Sequence, residues 1–104
     1  MKLGVHRIFE ERNEQIFKHN YSIERDVKFN GNHELGQAAA RLLFTPADAE
    51  ETTDLMREDI FVPEGWNKDI WFRMVNKTYE ERLVIAGALI AAELDRLQYI
   101  KENS

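Results

Sequence analysis

Apolar residues recur along this chain with the period of an α-helix and rarely with that of a strand. In the segment 78–97, TYEERLVIAGALIAAELDRL, the residues Leu83, Ala86, Gly87, Ile90, Ala91, Leu94 and Leu97 fall at i, i+3, i+4, i+7 spacing. Such spacing gathers them on one side of a helix and predicts that this side is buried. Thr78 followed by Glu81 is a capping-box pattern, in which hydroxyl and carboxylate satisfy backbone N–H groups that the helix start leaves without partners. Over 5–19, Val5, Ile8, Phe9, Ile16 and Phe17 share one face, with Arg7, Glu10, Glu11, Arg12 and Glu14 mostly elsewhere, which predicts a first helix. Another follows Asn32, the expected cap, with Leu35, Ala38, Ala39, Leu42 and Leu43 as its stripe. Thr45-Pro46 restarts the chain as cap and first helical position, and Asp48 adds negative charge to the first turn of a short acidic helix over 45–57. Two stretches lack a sustained period. Residues 19–31, ending in the turn-forming pair Asn30-Gly31, read as an ordered loop, and 59–76, with Pro63, Gly65 and four aromatics after Asp59, as a long aromatic connection. The predicted fold is all-α, one domain over 1–104: three main helices plus a short acidic helix, with ordered aromatic loops. Leu35, Leu42, Leu83, Ile90 and Leu94 are its expected core.

A chain of 104 residues suits one domain with one modest core, and six Phe, three Tyr and two Trp are enough to build it. The net charge of -5 argues against a protein that works chiefly by neutralising a nucleic-acid backbone, so nucleic acid is not an expected partner. With no cysteine there is no disulfide, thiolate metal site or cysteine nucleophile. The start MKLGVHRIFEERNEQ lacks the apolar core of a signal peptide, and the longest uncharged run, 83–92, is far short of a bilayer span. A cytoplasmic protein with no membrane partner is expected. Gly87 in mid-helix costs about 1 kcal/mol relative to Ala, so a packing reason is expected, within the fold or between subunits. For so short a chain a homo-oligomer is expected over a monomer.

Candidate chemistry is thin. Serine occurs only at Ser22 and Ser104, and His6, His19 and His33 have no spacing that shares a helix face, which leaves no serine hydrolase and no histidine metal pair. Glu11, Glu14, Glu34 and Glu93 are a candidate magnesium set, since a hard divalent cation needs oxygen ligands and bridges phosphates. Helical nucleotide pyrophosphatases of the MazG kind use such clusters; here only Glu11-x-x-Glu14 has their spacing, and Glu93-x-Asp95 cannot share a face. The aromatic segment is the stronger candidate. Trp66 and Trp71 offer flat faces for stacking, with Lys68, Arg73 and Lys77 close by to pair with phosphates and with Tyr21 and Arg25 approaching from the first loop. The same aromatics also fit the plainer role of closing the end of a helical core.

The motifs Glu11-Arg12-x-x-Gln15-Ile16, His33-Glu34-Leu35 with Ala38-Ala39, and Ala86-Gly87-Ala88-Leu89-Ile90-x-Ala92-Glu93-Leu94-x-Arg96-Leu97 together resemble a family of small phage and prophage proteins. Members show E-R-x-x-Q-I, G-E-L-x-x-A-A and A-G-A-L-I-x-A-E-I-x-R-L, with an aromatic loop before the last; Trp66, Trp71 and Arg73 stand there in this chain. The resemblance covers 11–98 and carries no particular reaction. Where relatives have His beside acidic loop positions this chain has Arg25 and Phe29, which counts against a His-based metal or acid-base role there. Arg12, Tyr21 and Asp26 also give a fainter likeness to the repeat domain of ryanodine receptors. The function expected first is a non-enzymatic phage-type protein binding a nucleotide-like or other anionic small molecule, needing no cofactor, with sequestration of a host immune signal implied by the phage resemblance. The alternatives are a magnesium-dependent nucleotide pyrophosphatase, and a protein-binding inhibitor of a host factor acting through the acidic face 48–59.

Overall fold

A computed structural model describes residues 1–18, 22–44 and 62–104, and these form five helices and no strand. They are α1 (Gly4–Phe17), α2 (Ile23–Phe29), α3 (Glu34–Phe44), α4 (Lys68–Val75) and α5 (Tyr79–Glu102). The acidic helix expected over 45–57 and the acidic face 48–59 lie outside the described residues, as do His19 and Tyr21.

Two stretches expected to be loops contain helices. Ser22 Oγ accepts the N–H of Arg25 at 3.2 Å, Glu24 and Asp26 occupy the positive N-terminal turn and Lys28 the last turn of α2. The Asn67 side chain does the same for Ile70 N–H at 3.1 Å, starting α4 inside the aromatic connection. A helix of seven or eight residues shows too few turns for periodicity to reveal it, so caps and end charges are the usable signal. At α5 the expected cap is present: Thr78 Oγ accepts Glu81 N–H at 3.2 Å. At α3 the expectation shifts by one residue. His33, in the left-handed region at φ 67, gives its carbonyl to Gln37 N–H, while the N–H of Asn32 donates to the Glu34 carboxylate.

The core lies between α3 and α5. Leu35, Ala38, Ala39 and Leu42 pack against Ile85, Ala86, Leu89 and Ala92, and Trp71 and Val75 of α4 close the end. Of the stripe predicted on α5 only Ala86 is fully buried: Leu83, Ile90, Leu94 and Leu97 are 40%, 44%, 62% and 37% exposed, so the buried side is turned away from them. The helix is apolar on two sides, and the side rich in alanine lets the equally small Ala38 and Ala39 of α3 approach closely, so the larger side chains stay outside. On its third side α5 meets α1 at Gly87, where a Cβ would stand 2.6 Å from Ile8 Cδ1. The mid-helix glycine thus has an internal packing reason. On α1 only Ile8 and Ile16 of the predicted stripe turn inward, half-buried; Val5, Phe9 and Phe17 are exposed, and Arg12 and Gln15 are buried instead. No helix among the described residues is long and apolar enough to cross a membrane.

Candidate functional site

Trp71, expected to stack on a ligand, is fully buried and belongs to the core, where its ring meets that of Trp66 edge-on at 6.3 Å and 78°. No stacking face is left on it. Lys68, Arg73 and Lys77 are exposed, but Lys68 and Arg73 lie five residues apart on α4 and so point about 140° from each other. Lys77 stands 3.9 Å from Glu81. The segment 66–77 therefore does not form the single cradle expected of it.

Trp66 leads elsewhere. Half-buried, it donates from Nε1 to Asn30 Oδ1 at 2.9 Å, and Asn30 Nδ2 donates to Asp26 Oδ1 at 3.0 Å. This link ties the aromatic segment to α2, which carries Arg25, the residue expected to approach from the first loop. Phe29, next to Asn30, is 61% exposed; the Arg25 guanidinium lies 6.0 Å and the Lys28 ammonium 5.2 Å from its ring centre. An exposed aromatic ring with two cations over it thus stands on α2, apart from the segment 66–77 where stacking and phosphate pairing were expected. Phe29 and Lys28 were missed because 19–31 reads as a loop; the Ser22 cap followed by acidic then basic residues was the available signal.

Beneath this face runs a buried ionic seam. Arg12 Nη2 lies 3.9 Å from Asp26 Oδ2 and 3.4 Å from Asp95 Oδ2, with Arg12 and Asp26 almost wholly buried. Burial raises the pKa of Asp26, against the lowering pull of Arg12, the Asn30 hydrogen bond and Arg25; Glu93 adds to the rise. Farther along, Arg96 bonds Glu93 through Nε at 2.5 Å and meets His33 Nδ1 through Nη2 at 3.1 Å. The left-handed backbone of His33 delivers its ring to this pair, leaving most of the side chain exposed. No protein-family model, curated protein or solved structure matches this chain.

The four carboxylates of the magnesium alternative are spread over three helices and engaged separately. Glu11 accepts from Gln15, Glu14 from Lys18, Glu34 from the N–H of Asn32, and Glu93 from Arg96. Glu11 and Glu14 border an open hollow of about 220 Å³ with Lys2, Arg7, Glu10 and Val84, which neither Glu34 nor Glu93 reaches. Among the described residues no three His, Asp or Glu side chains stand close enough to share a metal ion.

Proposed function

We propose that this chain is a non-enzymatic binder of a small anionic molecule carrying a flat ring, of nucleotide-like chemistry. The observation that supports it is the exposed Phe29 ring with the Arg25 and Lys28 cations over it. A ring stacking on Phe29 or Trp66 gains about 1–3 kcal/mol, and the two cations compensate the ligand's charge. With the phage resemblance, the natural role proposed is to hold a host nucleotide signal out of circulation.

A thermal-shift series of mono- and dinucleotides with and without magnesium tests this, since a ligand that binds only the folded state raises the melting temperature. One or more nucleotides should stabilise the wild type without magnesium, and Arg25→Ala with Lys28→Ala should abolish the shift while leaving the ligand-free melting temperature nearly unchanged. The bound nucleotide should be recovered intact on denaturation. Magnesium-dependent release of phosphate or pyrophosphate from a nucleoside triphosphate, lost in Glu11→Gln and Glu14→Gln, would overturn the proposal in favour of the pyrophosphatase.

A further inference from the structure

The outward side of α5 is apolar over most of its length, which an isolated helical domain does not require. Leu83, Ile90 and Leu97 stand seven residues apart on this side, with Leu94 beside them, and their exposures run from 37% to 62%. The stripe spans about 21 Å.

The order of residues along the stripe says what covers it. Ile90 lies midway between Leu83 and Leu97, so turning the helix end for end about Ile90 lays leucine on leucine. The same operation sets Tyr79 over Lys101, an aromatic face over an ammonium. Lys101 stands on this side in the last turn and Glu80, paired with Arg7, at its edge in the first, so an antiparallel pair brings opposite charges and opposite helix ends together, whereas a parallel pair brings like to like. A two-fold interface must be complementary to itself in this way; a different partner places no such demand on the sequence. We propose that two copies of this chain form an antiparallel dimer through the outer face of α5, with Ile90 on the two-fold axis. The face is separate from the Phe29–Trp66 surface, so the dimer and the binding proposal stand or fall independently.

Because the chain has no cysteine, single cysteines report the geometry directly. Light scattering coupled to size exclusion should give the wild type twice the chain mass of 12.3 kDa, and Ile90→Glu with Leu94→Glu should halve that value with the helical circular dichroism retained. Under mild oxidation Ile90→Cys should crosslink to itself. Leu83→Cys should not, but should crosslink when mixed with Leu97→Cys. A wild-type mass of 12.3 kDa across the accessible concentration range overturns the proposal, as does a trimer or self-crosslinking of Leu83→Cys, the mark of a parallel pair. The wild-type mass and the crosslinks decide the matter even if the glutamate variant fails to fold.

Discussion

Asp26 is 2% exposed, and the cost of ionising it there holds its pKa above the ordinary value of 3.8 although Arg12 stands nearby. A carboxyl whose pKa is higher in the folded than in the unfolded chain stabilises the fold fully below the unfolded value, and that contribution is lost as pH rises through the folded value. Asp26→Asn has no such titration. The stability difference between wild type and Asp26→Asn, from urea unfolding at a series of pH values, should therefore move against the wild type as pH rises from 3.8 upward, and level off above the raised pKa. A difference independent of pH in that window would remove the assignment. Two neighbouring leucines on α3 give a second contrast at this scale. Leu42 is fully buried, so Leu42→Ala should cost about 2–5 kcal/mol, whereas Leu43, 41% exposed, should lose well under half of that on the same truncation.

Among the helices, the crossing of α1 and α5 is the tightest contact the glycines reveal. A Cβ at Gly87 would come within 2.6 Å of Ile8 Cδ1, so Gly87→Val should destabilise by about 1–3 kcal/mol through overpacking. Ile8→Ala should recover part of the loss in a double-mutant cycle, because the clash is with the side chain of Ile8 and not with backbone. If the two changes add without coupling, α1 does not cross α5 where described. The capping of α4 is open to the same kind of measurement: Asn67→Ala removes the acceptor for Ile70 N–H and should cost about 1 kcal/mol. For α3, α5 and the existence of α1, the sequence pattern was sufficient, since each is long enough for its apolar period to repeat. For α2 and α4 it was not, because their short runs are held by caps and by contacts with α5.

At the scale of the whole molecule, α5 touches each of the other four described helices, and it is also the longest. Its central turns can lose their hydrogen bonds only when α1 and α3 separate from it. Native-state hydrogen exchange should accordingly show the amides of 85–92 as the slowest in the protein, opening at the free energy of global unfolding, with α4 opening below it. Amides of α4 as slow as those of α5 would contradict this arrangement.

The sequence by itself determined that the chain is helical, where its longer helices run, and that α3 packs through Leu35, Ala38, Ala39 and Leu42, because a strongly periodic stripe marks the face, although Leu43 at its edge is 41% exposed. The tertiary structure alone decided which side of α5 is buried, since two sides of that helix are apolar and the choice depends on the small residues that α3 brings to meet it. It also decided the fate of the aromatic segment. Local composition offers both tryptophans as equals, whereas packing sends Trp71 into the core and ties Trp66 to Asn30, which moves the cation-flanked aromatic surface onto α2. Burial of Arg12, Asp26 and Arg96 lies beyond any reading of hydrophobic pattern, because charged residues enter an interior only when partners from distant parts of the chain arrive there with them.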